Sequence, residues 1–218
     1  MLLAIDTSGQ FCSAACLDTK TGKLVFERSD NIDRGHAESL MPMLEEELAS
    51  AKLEWSDISS VAVVVGPGSF TGVRVGLAAA RGLALARSIP CIGVTVFEAL
   101  YEEFGKGEPL ACVMDARRDQ AWFQFFEADG VPGCAPSVVS LDDVKTRIPP
   151  RINRIVGSAA PLIEVSDKRE AEILSEIPSP PIGAVAMVAL SRDAETNKPV
   201  PLYLRDADAK PQTGFRPE

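Results

Sequence analysis

Met1-Leu2-Leu3-Ala4-Ile5-Asp6, followed by Phe11–Leu17, is answered in the second half of the chain by Leu110-Ala111-Cys112-Val113-Met114-Asp115, followed by Trp122–Phe126. Each copy reads as an apolar strand ending on aspartate, a polar turn and an apolar return strand. A pattern used twice signals an internal duplication. It predicts an α/β protein of two related lobes, over residues 1–105 and 106–205, with Asp6 and Asp115 facing a common cleft. Residues 206–218 carry two prolines and several charges without periodicity, and are expected to form a mobile tail.

Working outward from the first copy, Lys23–Phe26 adds a third strand to an antiparallel meander. Ala37, Leu40, Met41, Leu44, Leu48 and Ala51 then recur at helical spacing over His36–Lys52, with the Glu45-Glu46-Glu47 run mostly opposite. Pro42 should kink this helix unless regular winding begins only at Met41. Val61–Val65 reads as a strand buried on both faces, and Thr71–Arg87 as a helix with a bare row at Gly72, Gly76 and Ala80. A strand over Ile89–Val94 leads to Thr95 and Glu98 at capping-box spacing. In the second half, Ile152–Val156 is a strand candidate and Gly183–Leu190 a helix.

The 218 residues, 46% hydrophobic and 24% charged, have the composition of a soluble globular protein. The amino terminus lacks the basic region of a signal peptide, and the longest helix-like apolar stretch, Gly76–Ala86, falls short of the roughly 20 residues a membrane span needs. A cytoplasmic protein is expected. Five cysteines without a Cys-x-x-Cys pair imply reduced thiols, with Cys12, Ala14 and Cys16 sharing one strand face as small buried hydrophobes. The net charge of −9 opposes binding a polyanion, so on RNA another subunit would have to supply most of the grip.

Two segments could carry chemistry. Asp6-Thr7-Ser8 stands at a hairpin tip, where turn amides and hydroxyls bind oxyanions, although the same residues are simply good turn formers. Gly66-Pro67-Gly68-Ser69-Phe70-Thr71-Gly72-Val73-Arg74 leads a strand into a helix start. That is a ready anion site or, equally, a tight turn with close helix packing. It is neither a Walker A loop nor a dinucleotide fingerprint. Together they define a candidate phosphate or nucleotide cleft at Asp6, Thr7, Ser8, Gly66, Gly68, Ser69 and Asp115. His36 is the only histidine, which leaves no common zinc motif and little from which to build a nucleophilic triad, so no catalytic or metal residues are assigned.

These segments, together with His36-Ala37-Glu38-Ser39-Leu40-Met41-Pro42, the continuation Val75-Gly76-Leu77 and Pro201-Leu202-Tyr203-Leu204-Arg205, stand in the order and spacing of the TsaB (YeaZ) family, which the chain resembles. The resemblance implies an ASKHA fold, that of actin-like ATPases and heat-shock chaperones, with two duplicated mixed-sheet lobes. It also implies a non-catalytic subunit of the tRNA threonylcarbamoyladenosine (t6A) machinery that binds and activates TsaD together with TsaE. tRNA would be met only through that complex, no cofactor would be required here, ATP and magnesium would belong to the assembly, and the chain alone would form a homodimer. Val94–Ala99 lacks the histidines of the TsaD metal site. An ATP-binding phosphotransferase or ATPase using Asp6, Thr7, Ser8 and Asp115 is the rival, with a metallopeptidase-like protein behind it. The partner surface is expected on His36, Leu40, Met41, Met43 and Leu44 of the first helix and Gly72, Val73, Gly76 and Ala80 of the second. Met41, Met43 and Leu44 suggest a second apolar face, and the glycine row suggests close approach by a partner helix.

Overall fold

The structure, a computed structural model, describes residues 1–163 and 171–205; the expected tail at 206–218 lies outside them. β1 (Leu2–Asp6), β2 (Phe11–Asp18), β3 (Lys23–Asn31), β4 (Ser60–Val64) and β5 (Cys91–Val94) form one sheet in the order β3-β2-β1-β4-β5. β6 (Leu110–Asp115), β7 (Gln120–Phe126), β8 (Ser137–Ser140), β9 (Arg154–Val156) and β10 (Glu172–Ser175) form a second, in the order β8-β7-β6-β9-β10. In both, a three-strand antiparallel meander continues into two parallel strands. The weak repeat in the sequence is therefore a full repeat of topology, the doubled mixed sheet of an ASKHA fold.

Among the described residues, five α-helices complete the layers: α1 (His36–Ser50), α2 (Phe70–Arg87), α3 (Val96–Phe104), α4 (Leu141–Arg147) and α5 (Ile182–Leu190). Successive strand residues point to opposite faces, so both faces of β1 must be covered. Leu3 and Ile5 meet Leu40, Leu44, Val73 and Leu77 of α1 and α2 on the outer side. Leu2 and Ala4 meet Phe97, Leu100 and Val185 of α3 and α5 on the inner side. The second sheet repeats this, with Cys112 turned to the shared inner core and Ala111 and Val113 turned outward toward Val144 of α4. Cys12 and Cys16 are buried in the outer core, where loss of water pushes both thiols up to about 11.

The lobes are not consecutive blocks of chain. α5 follows the second sheet in sequence yet packs on β1 and β2, and the segment behind it stays with the first lobe. There Gly93 donates to the Asn197 carbonyl at 2.8 Å, Leu202 donates to that of Val65 at 2.8 Å, and Arg192 pairs with Glu98 at 2.5 Å. α5 is buried along most of its length. An apolar helix of that kind needs cover on several sides, and it finds it between α3 and the first sheet. The lobe expected over 106–205 thus cedes 182–204 to the first sheet. α1 is helical from His36, with Pro42 in its interior; Pro42 and Glu38 are both exposed, so water can serve the carbonyl the proline leaves unpaired. No helix of the described residues is long and apolar enough to cross a membrane.

Candidate functional site

The two duplicated turns, 7–10 after β1 and 116–119 after β6, have equal length and the same first bond. Asp6 Oδ1 accepts from the Ser8 amide at 2.7 Å, and Asp115 Oδ1 accepts from the Arg117 amide at 2.7 Å. Beyond that bond they part. Asp6, Thr7 and Ser8 are 1%, 2% and 4% exposed. Thr7 Oγ1 donates to the Gly72 carbonyl at 2.7 Å, and the Ser69 amide donates to the Ser8 carbonyl at 2.7 Å, so the start of α2 lies directly on the turn.

The glycines of the long motif make that approach possible. A Cβ at Gly68 would stand 2.4 Å from the Ser8 carbonyl oxygen, one at Gly72 2.0 Å from that of Thr7, and one at Gly76 2.7 Å from Thr7 Oγ1. The bare row therefore faces the chain's own first turn. Close packing, one of the two readings the motif allowed, describes the contact of α2 with this turn. Burial raises the Asp6 pKa, against the lowering pull of the Ser8 bonds and of His36.

The second turn stays open. Arg117, Arg118 and Asp119 take left-handed φ angles of 64°, 56° and 55°. Arg205 holds them there by donating to the Ala116 carbonyl at 2.8 Å, the Arg117 carbonyl at 3.3 Å and Gln120 Oε1, while the Leu141 amide donates to the Asp119 carbonyl at 2.9 Å. The Asp115 amide donates to Ser158 Oγ at 3.0 Å.

A cavity of about 710 Å³ reaches Ser8, His36, Ser69, Asp115 and Arg117, and a neighbouring one of about 570 Å³ lies between the start of α2, the second turn and residues 202–205. Of the expected cleft residues, Ser8, Ser69 and Asp115 come together on the larger cavity, and Gly68 and Ser69 line the smaller. Asp6 and Thr7 are sealed beneath the start of α2 instead, so the pairing of Asp6 with Asp115 across one open cleft is corrected. Gly66, at φ 110°, serves a close approach: a Cβ there would stand 3.0 Å from the Leu202 carbonyl oxygen. His36 Nε2 is buried without a hydrogen-bond partner among the described residues. No group of three His, Cys, Asp or Glu among the described residues is placed to hold a metal ion.

The expected partner surface needs a larger correction. Leu40, Met43, Leu44, Val73 and Ala80 are at most 3% exposed, and Gly72 and Gly76 are buried, so these residues form the lobe's own core. Met41, at 36%, and the partly exposed His36 remain accessible. Sequence reasoning missed the outward face of α2, where Ala78 is exposed and Leu85 is 83% exposed. It also missed Arg74, whose guanidinium lies 3.6 Å from the Phe70 ring centroid and whose Nε donates to Tyr203 Oη at 3.1 Å. Tyr203 belongs to the Pro201–Arg205 motif, quoted for its order and given no structural role. Arg117 and Arg118 stand where the duplication aligns Ser8 and Gly9, and that alignment was the available signal.

A family model described as "TsaD: tRNA N6-adenosine threonylcarbamoyltransferase" matches residues 29–139, about half of the chain. The tRNA threonylcarbamoyladenosine biosynthesis protein TsaB of Escherichia coli K12 is 35% identical over 132 residues, 59% of this chain and 55% of the relative, so the chain matches about half the length of that relative. An uncharacterized protein of Mycobacterium tuberculosis H37Rv is 32% identical over 214 residues, covering 96% of this chain and 94% of the relative. Among solved structures, YeaZ from Pseudomonas aeruginosa superposes with a TM-score of 0.76 at 26% identity, over 93% of this chain and 99% of that one. With the doubled sheet, the two Asp turns and the glycine segment in place, the chain belongs to the TsaB (YeaZ) family.

Proposed function

We propose that this chain is a non-catalytic subunit of t6A synthesis, which binds a TsaD homologue and holds it active together with a TsaE homologue. The observation that carries this reading is the start of α2 lying on the Asp6-Thr7-Ser8 turn. A first turn packed this closely by the lobe's own helix leaves Asp6 and Thr7 buried, which supports a lobe without the phosphate cradle of an ATP-hydrolysing relative. The same packing disfavours the phosphotransferase reading.

The partner surface moves outward from the buried residues to the exposed faces of α1 and α2, two helices packed side by side. Met41, Pro42, Ala78 and Leu85 there present apolar and small groups to solvent. Such a face suits a second helix pair, either a homologous one in TsaD or that of another copy when the chain is alone. The net charge of −9 leaves most of the tRNA grip, as well as ATP and magnesium, to the other subunits. The assembly works in the cytoplasm.

Reconstitution tests the reading. TsaD and TsaE homologues, tRNA, ATP and threonylcarbamoyl-adenylate are expected to give modified tRNA only when this chain is added, and the chain alone is expected to give none. Leu85→Glu should abolish co-purification with TsaD while leaving the fold intact. Equal TsaD activity with and without the chain would overturn the proposal.

A further inference from the structure

Residues 199–205 contain no helix or strand, yet three arginines fasten them to two separate parts of the molecule. On α2, Arg74, Ala78, Arg81 and Leu85 recur every three or four residues and form one exposed stripe. Arg81 donates to the Pro199 carbonyl, and Arg74 Nε donates to Tyr203 Oη at 3.1 Å. At the far end Arg205 donates to the Ala116 and Arg117 carbonyls and to Gln120 Oε1, all in the second lobe. We propose that residues 199–205 are a strap that couples the outward face of α2 to the Arg117 turn, so that a protein partner bringing carboxylates onto that face releases the turn. The trigger rests on the reading that this face takes a partner, whereas the coupling is a property of the chain alone.

At the α2 end the strap is held by groups that a partner can take over. Arg74 and Arg81 are exposed, and neither pairs with a carboxylate among the described residues. An exposed guanidinium that donates only to neutral oxygens gains by exchanging them for a carboxylate, which it binds in a charge-assisted, bidentate geometry. Tyr203 depends on Arg74 twice over. Its hydroxyl accepts the Nε bond, and its ring, 4.8 Å from that of Phe70 between centroids, lies 5.8 Å from the guanidinium that stacks on Phe70 at 3.6 Å.

At the other end the strap holds a turn that gains by relaxing. Arg117, Arg118 and Asp119 are left-handed, at φ 64°, 56° and 55°. A run of such non-glycine residues persists only where its surroundings over-determine it, and here one side chain, Arg205, holds three acceptors at once. Between the two ends, Leu202 packs against the outer core and Leu204 against the inner one, and the Leu202 amide donates to the Val65 carbonyl at 2.8 Å. The strap is thus pinned at its middle, while the alternate residues Tyr203 and Arg205 reach α2 and the turn. Freedom gained at Tyr203 passes to a residue only two positions on.

Hydrogen exchange on the full chain reads the coupling at the Ala116, Gln120 and Leu141 amides, which bond within or onto the turn. Arg205→Ala is expected to raise their exchange about tenfold or more. Arg74→Ala with Arg81→Ala, on a different element, should raise the same three rates severalfold, and should add little to Arg205→Ala because both act through one strap. Amides of the β6–β7 ladder should keep the parent's rates, which a general loss of stability would not allow. A saturating TsaD homologue should likewise raise the three rates. If that homologue does not bind, its assignment to this face falls, while the coupling measured without a partner stands. The proposal is overturned if the α2 pair leaves the three amides at the parent's rates, if its effect multiplies that of Arg205→Ala in full, if the rise spreads over the β6–β7 ladder, or if TsaD binds and the three rates do not rise.

Discussion

The Asp6 turn and the Asp115 turn began as the same device and now do opposite things. Both end the first strand of a mixed sheet, both span four residues, and both close with an aspartate accepting the amide two residues on. The first has small polar residues, Thr7, Ser8 and Gly9, and is roofed by a helix whose glycines allow backbone contact. The second has Ala116, Arg117 and Arg118 and is left open to the cavities. Two turns of equal length and like first bond thus serve packing in one lobe and exposed charge in the other. At the first turn the glycines of α2 decide the outcome, because a backbone-to-backbone approach forbids even one methyl group.

The largest effect is expected where that approach is closest. Gly72→Val would drive a side chain into the Thr7 carbonyl, 2.0 Å from the new Cβ, and should cost at least the upper end of the usual ~1–3 kcal/mol for overpacking. Urea unfolding checks it, and a midpoint close to that of the parent would break the account of the glycine row. Next come the aspartates themselves. Asp6→Ala strands a buried Ser8 amide and should cost about 1–3 kcal/mol, whereas Asp115→Ala, at a half-exposed site, should cost under about 1 kcal/mol. Equal losses in paired denaturation curves would erase the distinction between the turns.

A third prediction concerns pH. Burial raises the Asp6 pKa in the folded state, so that state binds the proton more tightly than the unfolded chain does. Its stabilising share is present while the group is protonated and declines as pH rises from the unfolded value of 3.8 to the higher folded one. Asp6→Asn, which can keep an acceptor for the Ser8 amide, should therefore gain stability relative to the parent as pH rises above the unfolded value of 3.8. A stability difference that is flat across that window would show that Asp6 is not held in a protonation-sensitive enclosure. The smallest effect is expected in the open turn. Asp119→Gly relieves a left-handed backbone at φ 55° but loosens the unfolded chain, for a net gain below about 1 kcal/mol in thermal unfolding. A clear loss would mean that the strained turn is held by the Asp119 side chain.

Legibility differed from one part of the molecule to the next for physical reasons. The strands around both aspartates were readable because buried strands need continuous apolar runs. The cap of α3 was readable as well: Thr95 Oγ1 accepts from the Glu98 amide at 3.2 Å, and Glu98 Oε2 accepts from the Thr95 amide at 2.8 Å. Met43 misled, because on α1 it adds to the same buried face as Leu40 and Leu44 instead of making a second one. The path of α5 was not readable, because an apolar helix declares that it must be covered without declaring by which sheet.

By itself the sequence determined the duplicated strand-turn-strand units, the order of helices between them and the bare face of α2, since each is a local consequence of side-chain period and size. Only the tertiary structure decided what that bare face meets, that α5 returns to the first sheet, and that Arg117 gathers with Phe70, Trp122 and Tyr203 around one cavity. The physical reason is one of range. Periodicity records how a residue stands to its own helix or strand, whereas the partner across a contact is selected by packing among segments distant in the chain.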